Sequence, residues 1–231
     1  MIVGPDGPFV AGEFGTDALI QHWKRQREDA TRVVMTSTVT SEVITISDSA
    51  QVELTGHAPT VVVSLPEVLF SALVEKGDRT GEGDLIIAVT PVFRRFLREL
   101  ERDPNALYKL DSRQFEELIA GAYNEDGCHV VLTPRSGDGG RDVIATRSDF
   151  GTIRVLDQVK LYRPHRVVEA DDVRALYGVL GNDLGASKGI VTTTSRFAPG
   201  VYKEFERQIP GRITLRDGEQ LRDWLHRINK S

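Results

Sequence analysis

Asp142 and the triplet Gln158-Val159-Lys160 are the residues of this chain whose types and spacing ask for chemistry rather than packing. They lie in the stretch Ser136 to Lys160, which reads SGDGGRDVIATRSDFGTIRVLDQVK. Carboxylate and amide oxygens are the hard ligands that Mg²⁺ prefers, and that ion commonly keeps several waters available for chemistry. A lysine ammonium beside them can hold or deprotonate an attacking water and balance charge building on phosphorus. The group suits metal-assisted phosphodiester cleavage. By itself the Asp…Gln-x-Lys spacing is a weak signal, because a surface Asp and Lys ending an ordinary hairpin read the same way.

The elements around the group decide whether it can converge. Asp142-Val143-Ile144-Ala145 and Ile153-Arg154-Val155-Leu156 alternate apolar residues on either side of the turn signal Ser148-Asp149-Phe150-Gly151. This predicts a β-hairpin. Strand alternation puts Gln158 and Lys160 on one face and turns Val159 away, so an antiparallel return brings both beside Asp142. Upstream, Asp111 or Ser112 caps a helix, with Gln114 at capping-box spacing from Asp111. Phe115, Leu118, Ile119 and Ala122 form its apolar stripe, with Glu116 and Glu117 beside it. Glu125-Asp126-Gly127 stops that helix, and residues 128–133 read as a strand. Downstream, the pattern predicts a helix over 168–180, a strand over 188–194, a helix over 197–208, a strand over 212–215 and a closing helix over 221–228, capped near Asp217. The order α-β-β-β-α-β-α-β-α predicts an α/β fold, a mixed sheet with helices on both faces.

The first half carries no chemical motif. Thr16-Asp17 caps a helix running to Arg27, and Val33 to Leu54 reads as two strands joined near Ser47-Asp48-Ser49. A strand over 61–64 precedes a helix opened by Pro66 and ended by Lys76-Gly77, then a polar turn over 78–83 and a strand over 85–89. Pro91 opens a helix with Val92, Phe93, Phe96, Leu97 and Leu100 on one side. Arg94, Arg95, Arg98 and Arg102 lie mostly on the other, as a nucleic-acid contact or a solvated face. Glu101 to Asn105 breaks the helical pattern. The expected organisation is therefore a small α/β accessory domain over 1–104 and a second domain over 105–231.

Net charge is −5, but it is unevenly spread: residues 1–110 carry 11 Lys+Arg against 16 Asp+Glu, and residues 111–231 carry 18 of each. The balance neither requires nor excludes a nucleic-acid partner. A lone cysteine, Cys128, rules out an internal disulfide; it reads as a buried strand residue in a reducing cytoplasm. No apolar run reaches the length of a membrane span, and the N-terminus lacks the basic flank and apolar core of an export signal.

Residues from about 111 to 228 resemble the catalytic domain of Mrr-type restriction endonucleases, within the PD-(D/E)xK nuclease superfamily. The resemblance is carried by Phe115-Glu116-Glu117-Leu118-Ile119, by Ser136 to Ile144, by Gln158-Val159-Lys160, by Val173 to Gly178 and by Lys188 to Phe197. It implies a restriction-endonuclease-like mixed sheet, with Asp142 as central metal ligand, Lys160 as catalytic lysine and Glu116 completing the site. Gln158 takes the place of an acidic residue, a replacement typical of the Mrr-like branch. Arg141 stands where the superfamily name implies Pro, a tolerable departure because the chemistry needs the carboxylate. With Gln158 neutral, only Asp142, Glu116 and main-chain oxygens remain as strong ligands, which implies weak metal binding.

Several residues keep two readings. Glu116 is a ligand or a solvent-facing helix charge like Glu117. Asp138, in a turn whose Gly137, Gly139 and Gly140 permit close backbone approach, is a second catalytic carboxylate or a turn stabiliser. Tyr162, Arg163, His165 and Arg166 are phosphate contacts or a basic surface loop. Ser195 lacks a nucleophile elbow and reads as a helix cap. The expected function is a cytoplasmic endodeoxyribonuclease using Mg²⁺, with Mn²⁺ as the alternative ion, in type IV-like restriction or genome defence. DNA is the expected partner, a homodimer follows from the resemblance alone, and the accessory domain would take a sensing, regulatory or DNA-contacting role through a signal ligand or partner. The alternatives are a junction, flap or RNA nuclease, and a catalytically silent nucleic-acid-binding module.

Overall fold

A computed structural model describes residues 2–4, 7–9, 33–37, 42–46, 51–55 and 63–64 as strands, together with residues 70, 72–135, 140–149, 151–209 and 211–231. The helix expected over 17–27 lies outside the described residues. The chain forms two compact units, residues 1–73 with 89–96, and residues 74–88 with 97–231.

In the first unit, β1 (Ile2–Gly4), β2 (Gly7–Phe9), β3 (Val33–Ser37), β4 (Glu42–Ile46), β5 (Gln51–Thr55) and β6 (Val63–Ser64) form an antiparallel sheet ordered β2-β1-β3-β4-β5-β6. The run from Val33 to Leu54, expected as two strands, therefore makes three. Its β-branched alternation continues through Thr and Ser with no Gly or Pro to punctuate the first turn. α1 (Thr90–Arg102) contributes its first turns to this unit and the rest to the second.

The second unit is built on a sheet ordered β13-β12-β11-β10-β9-β8-β7. Its strands are β7 (Val74–Arg79), β8 (Asp84–Ala88), β9 (His129–Leu132), β10 (Val143–Ser148), β11 (Thr152–Lys160), β12 (Lys188–Thr193) and β13 (Ile213–Arg216). Pairing is antiparallel from β7 to β11 and parallel across β11, β12 and β13, the mixed sheet expected from the sequence. α2 (Ser112–Glu125) packs on β8, β9 and β10, and α5 (Gly218–Lys230) on β12 and β13. α3 (Ala170–Asn182) covers the opposite face, joined there by the short α4 (Pro199–Glu204). The faces follow from alternation in β11: Leu156 packs with Leu176 and Leu180 of α3, while its neighbour Asp157 is bonded by Tyr123 of α2. Both α2 and α5 start on true capping boxes, Asp111 with Gln114 and Asp217 with Gln220.

Two expectations move here. Residues 74–77, expected to end a helix, and 78–79, expected in the polar turn, form a strand; Val74 pairs with Ala88 and Lys76 with Ile86, and this pairing overrides the local pattern. The division also does not fall at residue 104, because β7 and β8 extend the second sheet through β8–β9 pairs such as Leu85 with Val131. The turn between them is seated tightly: Gly83 has φ +153°, and a Cβ there would stand 2.2 Å from the Leu132 carbonyl oxygen. On the α2 face Phe115, Leu118, Ile119, Ala122 and Val143 are fully buried. Burying each of the larger ones contributes about 2–3 kcal/mol, so the helix carrying Glu116 is firmly held.

Candidate active site

The hairpin beside which Asp142 lies, and whose second strand carries Gln158 and Lys160, is β10–β11, in register Val143 with Asp157 and Ile144 with Leu156. Just before this register begins, the Asp142 N–H donates to the Asp157 carbonyl at 2.9 Å, which ties Asp142 to the end of β11. The Val159 N–H donates to Asp142 Oδ2 at 2.7 Å, a charge-assisted bond that holds the carboxylate over the Gln158-Val159-Lys160 backbone. From the other side, Thr133 at the end of β9 donates its N–H to the Asp142 carbonyl at 3.0 Å. Its hydroxyl lies 3.1 Å from the same oxygen and 2.8 Å from the Arg141 carbonyl. The Asp142 carboxylate thus meets β11 at the backbone between Gln158 and Lys160.

Gln158 is 6% exposed, and its Oε1 is buried with no hydrogen-bond partner among the described residues. An orphaned buried acceptor costs about 1–3 kcal/mol unless something binds it, and among the described residues Arg141 Nε, Asp157 Oδ1, Gln208 Oε1 and Asn229 Oδ1 share that state. Lys160 ends β11, where its carbonyl accepts from the Thr193 hydroxyl at 2.9 Å and the Thr194 N–H at 3.4 Å. Its Nζ lies 3.5 Å from Asp172 Oδ1, and both side chains are about a quarter exposed. Val159 is 8% exposed and buried away from this group.

Glu116 reaches the same end of the sheet through Arg113, whose Nη1 donates to Glu116 Oε2 at 3.0 Å and to the Thr133 carbonyl at 2.8 Å. The carboxylate on α2 is thereby tied to the residue that grips Asp142. Glu117, expected to face solvent, is 19% exposed and pairs with Lys76 at 3.4 Å. Arg141, in the superfamily's proline position, lies 3.6 Å from Glu82 and 3.5 Å from Asp183. Arg154 bridges the same two carboxylates. Burial alone would raise the Asp183 carboxyl, but the Arg154 hydrogen bond and charge bring it below its ordinary value.

The basic loop after β11 is ordered from beneath. Thr194 Oγ1 accepts the Tyr162 N–H at 2.9 Å and donates to the Tyr162 carbonyl at 2.6 Å. Ser195 donates to the Arg166 carbonyl, so it pins this loop and is not a helix cap; α4 begins at Pro199 behind Ala198. The Arg166 guanidinium stacks 3.9 Å over the Tyr162 ring. Arg163, His165 and Arg166 are exposed, and Arg166 Nη2 donates to the Tyr162 hydroxyl at 3.3 Å. Asp138, with Ser136, Gly137 and Gly139, lies outside the described residues. Cys128, expected as a buried strand residue, is a partly buried residue between the turn at Asp126-Gly127 and β9, and burial pushes its thiol up.

Sequence reasoning missed the groups that support the site. Asp172 carries no motif and becomes visible only when α3 docks. On the opposite face of β11, fully buried Asp157 accepts from Tyr123 at 2.7 Å and Thr192 at 2.8 Å, with Arg216 at 3.5 Å. Burial pushes this carboxyl up to about 6, against the opposing pull of Arg216, Tyr123 and Thr192. A charged residue between Leu156 and Gln158 was the available signal, but nothing local names its partners. Among the described residues no three His, Cys, Asp or Glu side chains cluster as a metal site. The donor set at hand is instead the Asp142 carboxylate and the orphaned Gln158 amide oxygen, with main-chain carbonyls. This all-oxygen set fits a hard divalent cation.

A family model described as restriction endonuclease (Mrr_cat) matches residues 107–225, just over half of the 231-residue chain. An uncharacterized protein of Sinorhizobium fredii, y4cE, is 24% identical over 141 residues, 61% of this chain and 36% of the relative. The chain thus spans about a third of that relative's length. Among solved structures, the MspJI restriction endonuclease in complex with a 27-mer oligonucleotide is 22% identical with a TM-score of 0.41, over 58% of this chain and 31% of that one. The DNA modification-dependent restriction endonuclease AspBHI is 19% identical with a TM-score of 0.44, over 58% of this chain and 35% of that one. With residues 107–225 matched along the elements that position Glu116, Asp142, Gln158 and Lys160, the chain belongs to the Mrr_cat restriction endonuclease family and carries a restriction-endonuclease-like nuclease domain.

Proposed function

We propose that the chain is a divalent-metal-dependent endonuclease that hydrolyses DNA phosphodiester bonds. The observation that carries this reading is the buried, unpartnered Gln158 Oε1 beside a carboxylate that the Val159 N–H holds at 2.7 Å. Asp142 and Gln158 would hold Mg²⁺ or Mn²⁺, with Glu116 contributing from α2. The bound ion would supply charge neutralisation and Lewis acidity at the scissile phosphate. Lys160 positions the attacking water and offsets the negative charge that develops as its oxygen bonds to phosphorus and the leaving P–O bond breaks. Tyr162, Arg163, His165 and Arg166 hold neighbouring phosphates and orient the strand; such contacts set register rather than sequence preference.

The finer reading is a type IV-like restriction nuclease of the cytoplasm, in genome defence, acting as a homodimer when both strands are cut. Its N-terminal unit would sense a signal or contact DNA. This extension is supported by family membership and by the separate six-stranded sheet of the first unit. The test is cleavage by the full chain of methylated, unmethylated, branched and single-stranded DNA, and RNA, with Mg²⁺, Mn²⁺ or EDTA. Wild type, Asp142→Asn and Lys160→Ala would be compared. Metal-dependent cutting lost in both variants is expected. A wild type that binds these nucleic acids but cuts none with either ion would replace the enzyme with a binding module, and a preference for branched DNA or RNA would replace restriction as the role.

A further inference from the structure

We infer that Asp172 is the positioning residue of the site: its carboxylate anchors the Lys160 ammonium beside Asp142 and Gln158. The inference rests on the nuclease reading and deepens it. The backbone of Lys160 is already immobile, hydrogen-bonded to Thr193 and Thr194 and paired in register with Thr193. Its side chain is not, because four methylenes leave about 2 kcal/mol of rotamer entropy to be lost before the ammonium stays in one place. Among the described residues its ammonium pairs with Asp172, whose Oδ1 lies 3.5 Å away.

Asp172 is itself rigidly placed. It stands in the first turn of α3, next to Val173, which is fully buried against the sheet. The segment entering α3 is clipped to the chain beyond β12: the Val168 N–H donates to the Arg196 carbonyl and the Ala198 N–H to the Val168 carbonyl. Capping accounts for only part of its chemistry, since the Glu169 N–H reaches Asp172 Oδ2 at a long 3.4 Å, leaving Oδ1 directed to the lysine. Lys160 therefore spans two elements, rooted on β11 and tethered to α3. Its reach over the Asp142–Gln158 pair is set by how α3 docks.

Asp172→Asn separates this role from capping, because the amide oxygen still accepts from the Glu169 N–H while the charge is lost. Full-length protein would be assayed on supercoiled plasmid DNA with Mg²⁺, alongside Asp172→Glu and a thermal melt of each. For Asp172→Asn the expected result is a kcat lowered roughly ten- to a hundredfold, KM changed by less than about threefold and Tm nearly unchanged. Asp172→Glu, which keeps the carboxylate, retains more of kcat. An active wild type whose Asp172→Asn variant keeps or raises kcat overturns the inference. So does a Glu variant no better than the Asn variant. Absence of cleavage by wild type removes the nuclease reading and this inference with it.

Discussion

Substituting Gly83 tests whether the β7–β8 hairpin, which lies outside the region matched by the family model, is integral to the nuclease sheet. A Cβ at this position would stand 2.2 Å from the Leu132 carbonyl oxygen and 2.9 Å from Thr133 Cα, both backbone atoms of the β9 end. Gly83→Ala must therefore lift the turn off β9 or push Thr133 away from Asp142. Holding a non-glycine residue at φ +153° costs about 1–3 kcal/mol, and forcing a methyl into packed backbone adds about 1–3 more. A loss of about 3–4 kcal/mol lowers Tm by roughly 6–16 °C in a chain of this length. Gly81 in the same turn is the control: a Cβ there meets nothing within 4 Å, so Gly81→Ala should stay within about 0.5 kcal/mol of wild type. Thermal and urea unfolding followed by circular dichroism would read both. A Gly83→Ala Tm within about 2 °C of wild type, or an equal fall in Gly81→Ala, would refute the seating of the turn on β9.

Three further outcomes follow from the same geometry. Because burial raises the folded Asp157 carboxyl from 3.8 to about 6, its stabilising contribution is full below about pH 3.8 and is lost as pH rises through about 6. Urea unfolding of wild type against Asp157→Asn should then show a gap that moves about 2–3 kcal/mol in favour of wild type between pH 7.5 and pH 4, and a constant gap would contradict it. Gln158→Glu places a charge where the orphaned amide oxygen lies. It should lower the Mg²⁺ concentration for half-maximal cleavage about tenfold and cost at least about 1 kcal/mol of metal-free stability; an unchanged metal requirement tells against Gln158 as a ligand. A fragment of residues 105–231 removes β8 from β9 and uncovers Val130 and Val131, so size-exclusion chromatography should show aggregation where the full chain does not.

The second half of the fold was legible because its signals are local. Asp111 with Gln114, the turn at Asp149 to Gly151 and the alternation around Val155 each specify an element without reference to the rest of the chain. The placement of Asp142 against the strand of Gln158-Val159-Lys160 was legible for the same reason, being a property of one hairpin. What could not be read were residues whose roles depend on distant partners. Asp172 meets Lys160 only through the docking of α3, and Asp157 meets Arg216 only through parallel pairing of three strands. The strand Val74–Arg79 was not legible because its strand character comes from β8, while its own sequence, with Gly77 among charges, resembles a helix end running into a turn. The restriction-endonuclease family was recognisable because several ordered motifs survive together, where the Asp…Gln-x-Lys spacing alone decides little.

The strand order of the second sheet, β13 to β7, repeats the order of the strands along the chain. Each hydrogen-bonded neighbour is therefore also the next strand in sequence, and no strand waits to be threaded between two others. Hairpins of this kind form in about 1–10 μs, and the β10–β11 pair closes over one short turn, so Asp142 and Gln158 meet through one of the most local contacts in the sheet. Lys160 acquires its anchor only after the longer connection through α3 has closed. Folding thus brings Asp142 and Gln158 onto one hairpin before Lys160 meets Asp172, and a partly unfolded chain that releases α3 would keep the first contact while losing the second.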